Sequence, residues 1–294
     1  MEKTVTVCGI KRMEIHDGEG LRSTVFFKGC PLKCRWCHNP ESISYSPQIA
    51  FFEGKCIGCG QCVSVCPTGA AGNVRAIDYR KCIGCGKCAE VCPTEALVHY
   101  GRRITVSALA DELMWDAPFF ADGKGGVTLS GGECLTQPEG VIELARELKK
   151  RGISVFVDTC GYVKREILEK ILPYTDKFLY DIKALDSDVH EKCTGRDNVL
   201  ILENLKYLSD SGARLEIRIP YVPDLNGGEM EAIARHLSEM NIEKVKILPY
   251  HNFAASRYGA LGMESTLPDT LPTREQSEAV RELFRRILTG VTVD

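Results

Sequence analysis

Six short apolar runs, each followed by a stretch with helical spacing, constrain this chain most. The runs cover residues 24–28, 127–130, 154–158, 178–181, 215–219 and 245–248. The helical stretches cover 107–114, 140–150, 164–172, 199–209, 228–240 and 274–288, the third stopped by Pro173. Strands alternating with helices imply a parallel sheet with right-handed crossovers. Six units are too few for the eight-stranded barrel, so the expected fold is α/β, a partial (β/α)6 barrel. In parallel barrels the chemistry sits at the C-terminal mouth. The polar residues at these strand ends are Cys30, Ser130, Asp158, Asp181, Arg218 and the pair Tyr250-His251.

The first run delivers the chain into Cys30, Cys34 and Cys37, spaced C-x3-C-x2-C, with Trp36 before the last thiol. Three thiolates can hold three irons of a 4Fe–4S cube and leave the fourth iron open. An open metal position suits a substrate that must bind the metal, whereas structural sites are closed. The same spacing also suits a zinc with a distant fourth ligand, or three free thiols.

The chain has 15 cysteines in 294 residues, and eight of them repeat one pattern. Cys56, Cys59, Cys62 and Cys66 precede Pro67, and Cys82, Cys85, Cys88 and Cys92 precede Pro93. Both runs read C-x2-C-x2-C-x3-C-P, the bacterial ferredoxin spacing, in which the fourth cysteine serves the other cluster. One cube is therefore expected on Cys56, Cys59, Cys62 and Cys92, and the other on Cys82, Cys85, Cys88 and Cys66. A pair of zinc sites would separate its C-x2-C pairs by a longer loop. The expected domains are a barrel from 1–48 and 99–294 and a ferredoxin-like insert at 49–98. So small an insert cannot build a large core, and clusters would act as its staples.

Thiolate-bound iron needs a reducing compartment, which argues against a disulfide framework for the remaining Cys8, Cys134, Cys160 and Cys193. No apolar stretch approaches a membrane span. The formal net charge is −3 with no basic block, so nothing favours nucleic acid. A cytoplasmic, monomeric protein of anaerobic metabolism is expected.

The strand ends and the cysteines occur with further motifs. These are His16-Asp17-Gly18-Glu19-Gly20-Leu21-Arg22, Cys37-His38-Asn39-Pro40, Gly131-Gly132-Glu133, Asp158-Thr159-Cys160-Gly161, Asp181-Ile182-Lys183 and Pro249-Tyr250-His251. Together they resemble the radical S-adenosylmethionine (SAM) superfamily, and within it the larger activating enzymes of glycyl radical enzymes, which carry a ferredoxin-like insert. The resemblance implies three 4Fe–4S clusters and SAM as cofactors, with SAM chelating the open iron at Cys30, Cys34 and Cys37. Reductive cleavage of SAM would give a 5′-deoxyadenosyl radical, which takes a hydrogen atom from a glycine of a partner enzyme. An external electron donor such as flavodoxin or ferredoxin is implied.

The resemblance also assigns residues. Gly131, Gly132 and Glu133 would hold the methionine portion of SAM, and Lys183 and Arg218 its carboxylate and ribose. Asp181 joins this cofactor-binding set. Trp36 would lie on the adenine or pack in the barrel, and His251 would face the nucleoside. Asp158, Thr159 and Asp181 match a monovalent-cation site, and Asp17 a contact to the partner's peptide. Two positions depart from the family pattern, which has proline at Cys134 and Glu19. Cys134 reads as an inert small residue or a redox-sensitive one, and Glu19 as a residue that tunes partner choice. Two other readings stand beside this one: a radical SAM enzyme acting on a small molecule, and an electron-transfer protein. The partner's own substrate is not legible.

Overall fold

The computed structural model describes residues 2–73, 75–120 and 124–294. Its strands are β1 (Thr4–Glu14), β2 (Arg22–Phe27), β3 (Gln48–Phe51), β4 (Leu97–Tyr100), β5 (Arg102–Thr105), β6 (Gly126–Gly131), β7 (Ser154–Thr159), β8 (Lys177–Asp181), β9 (Leu215–Tyr221), β10 (Lys244–Pro249) and β11 (Thr292–Val293). The main sheet runs β11-β10-β9-β8-β7-β6-β2-β1-β5. From β2 through β11 every pairing is parallel, whereas β1 pairs antiparallel with both β2 and β5. The two edge strands do not meet, so the six β/α units form an open barrel, as expected.

Alternation along the strands divides the residues between two faces. Val127, Leu129, Val155, Val157, Phe178, Ile217, Ile219 and Val245 face outward into the main core, where Leu144, Leu148, Leu168, Leu205, Leu208, Ile233 and Phe284 of the helices cover them. Each such side chain contributes about 1.5–3 kcal/mol of burial. The alternate residues point inward and are mostly polar. Arg22, Thr24 and Thr128, Phe156, Lys177, Glu216 and Arg218 fill the interior.

The barrel floor is sealed by 16–20. Arg22 lies 3.6 Å over one Phe156 ring and Lys177 5.8 Å from it. Gly18 sits so close to that ring that an added Cβ would stand 2.5 Å from it. The Asp17 carbonyl accepts from Thr128 Oγ1 at 2.7 Å.

Five strands (β1, β3, β4, β5 and β11) and five short helices (Gln61–Val65, Lys87–Glu90, Ser187–Thr194, Pro223–Asn226 and Ala255–Ala260) were not anticipated. β5 is an edge strand and β1 lies between it and β2, and the outer half of β1 is charged, which masks its period. β11 has only two residues. The helix Ser187–Thr194 is polar, yet it has an Asp186 N-cap and a left-handed Gly195 at its end. The helix Ala255–Ala260 is one and a half turns long. Separately, β3 pairs antiparallel with β4 in a two-stranded sheet that brackets the cysteine duplication. No helix among the described residues is long and apolar enough to cross a membrane.

Candidate active site

The inward residues at the strand ends open on one cavity of about 730 Å³, within the range of small-molecule sites. Its wall takes Phe26, Ser130, Asp158, Asp181, Arg218, Pro220 and Leu248 from six successive strands, with Cys30, Cys34 and Cys37 at one side. Trp36, Gly131, Gly132, Thr159, Lys183, His251 and Asp17 also line it.

The cysteine loop is pinned from two directions. Gly29 N donates to Ser42 O at 2.8 Å and Cys30 N to Ile43 O at 3.1 Å. Lys33 N donates to Thr194 O and Arg35 N to Cys193 O, at 2.7 and 2.9 Å. Those carbonyls end the helix Ser187–Thr194 and have no partner within it. The unanticipated helix therefore anchors the thiol loop. Burial pushes all three thiols up, Cys37 to about 12 and Cys30 well above the ordinary thiol range. Lys183 Nζ donates to Asp181 Oδ2 at 2.7 Å. Burial opposes its charge, but Asp181 and Cys34 hold it protonated.

The glycine pair answers a space requirement. Gly131 has φ +119°, and a Cβ there would strike the Phe27 main chain. A Cβ on Gly132 would stand 2.5 Å from both Gly29 O and Ser42 O. The pair thus lets β6 pass directly under the cysteine loop.

Arg218 Nη2 donates to His16 O at 2.8 Å, and its Nη1 lies 3.3 Å from Asp17 Oδ1 and 3.7 Å from Asp158 Oδ2. Asp17 Oδ2 accepts from Thr24 Oγ1 at 3.0 Å, and Asp158 Oδ2 from Ser130 Oγ at 2.6 Å. Burial pushes the Asp158 carboxyl up. At the rim, His251 stacks on His38 at 4.0 Å and on Phe253 at 4.4 Å. Trp36 packs with Cys193, Val222 and Tyr250.

The superfamily profile for radical SAM proteins matches residues 24–237. The chain is 43% identical to the trans-4-hydroxy-L-proline dehydratase activating enzyme of Clostridioides difficile, over 95% of each chain. It is 39% identical to the choline trimethylamine-lyase activating enzyme of Oleidesulfovibrio alaskensis, over 90% of this chain and 89% of the other. The chain belongs to the radical SAM superfamily, among the activating enzymes of glycyl radical enzymes. The benzylsuccinate synthase activating enzyme of Thauera aromatica is similar too, at 37% identity over 88% of this chain and 82% of that one. Streptococcus suis SuiB bound to its precursor peptide shares the fold at TM-score 0.55 and 12% identity, over 90% of this chain and 46% of that one. An activating enzyme of this kind uses a 4Fe–4S cluster and SAM and acts on a protein substrate.

The geometry also shows where the side chains of Glu133, Thr159, Glu19 and Cys134 point. Glu133 does not line the cavity. It is fully buried, and its carboxylate accepts from Leu135 N at 3.0 Å, Thr159 Oγ1 at 2.9 Å and Cys160 N at 2.8 Å. It braces the glycine loop against the end of β7. Thr159, one residue after Asp158, turns its hydroxyl to Glu133, on the opposite face of the strand. Glu19 points to the barrel floor, where its carboxylate accepts from buried Lys177 at 2.6 Å. Cys134 is fully buried with its thiol toward Asp158 O, as an inert packing residue would be.

Sequence reasoning missed Cys8, Glu41 and Arg257, which line the cavity. Their only signal was proximity to strand or loop ends. Among the described residues no three His, Cys, Asp or Glu side chains converge as ligands of a single ion would. The thiolates of a cube bind separate irons at separate corners and need not converge.

The repeated cysteines line two smaller cavities. Cys56, Cys59, Cys62 and Cys92 share one, and Cys66, Cys82, Cys85 and Cys88 share the other.

Proposed function

We propose that Cys30, Cys34 and Cys37 hold the SAM-binding 4Fe–4S cluster of this activating enzyme, and that the cavity beside them holds SAM. The observation that carries the reading is the presence of three half-buried thiols, a buried lysine and a glycine pair without side-chain bulk on one cavity at the strand ends. Three thiolates side by side need compensating positive charge, which a cluster and Lys183 supply together. When bound, the cluster and SAM supply a 5′-deoxyadenosyl radical that takes a hydrogen atom from a glycine of the partner enzyme. The main-chain groups of Gly131 and Gly132 hold the methionine portion. Lys183 and Arg218 are placed for the carboxylate and ribose, each already fixed by an acidic neighbour, Asp181 and Asp17. The rings of His251 and Trp36 suit the nucleoside. Asp17, held by Thr24 and Arg218 at the cavity wall, is assigned to the partner's peptide.

The insert at 49–98 is read as ferredoxin-like, with one further 4Fe–4S cluster in each four-cysteine cavity. The crossing of Cys66 and Cys92 between cavities supports this over two zinc sites, since each cavity takes three thiols from one run and the fourth from the other. A small one-electron carrier of the flavodoxin or ferredoxin type is the reductant of this reading, and the chain works as a monomer. For a monovalent cation the support is limited to Asp158 and Asp181, with only the Thr159 carbonyl oxygen left to join them. The curated relatives are named for partners of different substrates at 37–43% identity. The partner is therefore taken as a glycyl radical enzyme without a named substrate.

The test is anaerobic reconstitution, reduction, addition of SAM and measurement of 5′-deoxyadenosine. Wild type should form it and Cys34→Ala should not. Equal product from both would overturn the assignment.

A further inference from the structure

We infer that the two cysteine sites of the insert stand in a fixed order relative to Cys30. The site of Cys66, Cys82, Cys85 and Cys88 is proximal, and the segment Tyr45–Ser46–Pro47 is its bridge to the SAM site. The site of Cys56, Cys59, Cys62 and Cys92 is distal. This inference rests on the reading that both sites hold 4Fe–4S clusters.

The bridge is built from close main-chain approaches. Gly84, inside the Cys82–Cys85 turn, abuts the Pro47 carbonyl so tightly that a Cβ there would overlap it. Two residues earlier in the chain, the Tyr45 ring covers Gly29, where a Cβ would stand 2.5 Å from Cδ1. Gly29 immediately precedes Cys30. Pro47 is also met by Gly101, whose added Cβ would lie 2.8 Å from Pro47 Cα and 3.1 Å from Lys28 Cδ. Lys28 Nζ then donates to Gln48 Oε1 at 3.0 Å. From Cys85 to Cys30 the path is thus bonded or in van der Waals contact throughout.

A second tie fixes the same side of the insert to the barrel. The Tyr79 hydroxyl donates to Ala260 O, and Gly262 leaves room only for the Tyr79 ring. Tyr79 stands three residues before Cys82. Near the start of the first run Phe52 packs beside Ala260 and Leu261, but Gly54, two residues before Cys56, has nothing within 4 Å of an added Cβ.

Electron tunnelling falls steeply with distance and favours bonded, packed routes. One electron per SAM cleaved therefore enters from an external one-electron donor at the distal site and passes to the proximal site. It reaches the Cys30 site along the Tyr45–Pro47 bridge, and each insert site returns to its oxidised state. SAM is the acceptor, so the electrons balance.

The test reads magnetic interaction rather than turnover, because each reduced cluster carries unpaired spin. Reduced Cys59→Ser and Cys85→Ser proteins, checked by iron and sulfide content, each keep the SAM-site cluster and one insert cluster. Their EPR spectra are compared. Cys59→Ser should show a spectrum broadened by interaction between its two clusters. Cys85→Ser should lose that interaction and give the sum of two isolated signals. The reverse pattern, or equal spectra, would overturn the order.

Gly84→Ala in the otherwise unchanged chain guards against loss of the insert's fold. All cysteines remain, yet the Pro47 contact is forced apart. Reduction of the SAM-site cluster by reduced methyl viologen, followed by stopped flow, should slow with iron content unchanged. An unchanged rate would count against the bridge. Wild type holding iron for only one cluster would sink the insert reading and the order with it, whereas full iron with equal spectra would sink the order alone.

Discussion

Glu133 has no access to the cavity, so its contribution is to hold two loops at one geometry. Leu135 N, Thr159 Oγ1 and Cys160 N all donate to it inside the core. Removing the acceptor leaves three buried donors unpaired, each costing about 1–3 kcal/mol. Glu133→Ala should therefore lose at least about 3 kcal/mol of stability in anaerobic urea unfolding. Glu133→Gln keeps one carbonyl oxygen and should lose less. A cofactor contact would behave differently, weakening SAM binding while leaving the unfolding midpoint unchanged. The sequence named Glu133 correctly as part of the glycine loop but could not say which way it points. Direction depends on Thr159 and Cys160, which β7 brings alongside β6, and no local spacing encodes that pairing. Cys30, Cys34 and Cys37 were singled out by their spacing, and Asp181 and Lys183 by the end of an apolar run, and all five line the one cavity.

At the scale of the elements, the floor of the barrel is an ion ladder. Lys177 opens β8 and is 2% exposed, with Glu19 Oε1 at 2.6 Å and Glu243 Oε2 at 2.9 Å. Arg214 Nε donates to Glu243 at 2.6 Å. The Lys177 hydrogen bond holds the Glu19 carboxyl below its usual range. Burial opposes the same shift at Glu243, but Arg214 and Lys177 outweigh it. Glu19→Gln leaves Glu243 in place and should cost about 1 kcal/mol or less. Glu19→Gln with Glu243→Gln strands a buried ammonium and should cost about 3–5 kcal/mol. Both carboxyls have lowered folded values, so their stabilisation is present above the unfolded value of about 4.3 and lost as pH falls through the folded ones. Stability measured by urea titration from pH 6 downward should therefore fall less steeply in the double variant than in wild type. Equal acid slopes would show that the ladder carries no linkage. The six β/α units were legible because their outward faces repeat apolar residues at period two. The floor was not, since its inward residues are charged and read as surface until Phe156 and the 16–20 loop enclose them.

Across the whole molecule, two cores of unequal strength share one chain. The barrel core joins residues from Val5 to Val293. The insert's own cluster is built around Ile49, Cys88 and Leu97, with Cys62, Cys82 and Cys92 packed against it. Four of the ten residues in that small core are cysteines, so without iron it has little apolar area to offset the entropy of its loops. Ligand binding to such sites is folding free energy. In the iron-free protein, amides of 53–95 should exchange at nearly unfolded rates while those of β6 to β10 stay protected. Loading iron and sulfide should then protect 53–95 selectively, read by hydrogen exchange with mass spectrometry under argon. If 53–95 were protected before loading, the insert would have a core independent of its cysteines. The clusters would then be passengers rather than staples. If loading protected the barrel instead, the stabilising metal would lie at Cys30, Cys34 and Cys37 alone. Only selective protection of 53–95 fits the proposal that the repeated cysteines hold clusters and that those clusters fold the insert.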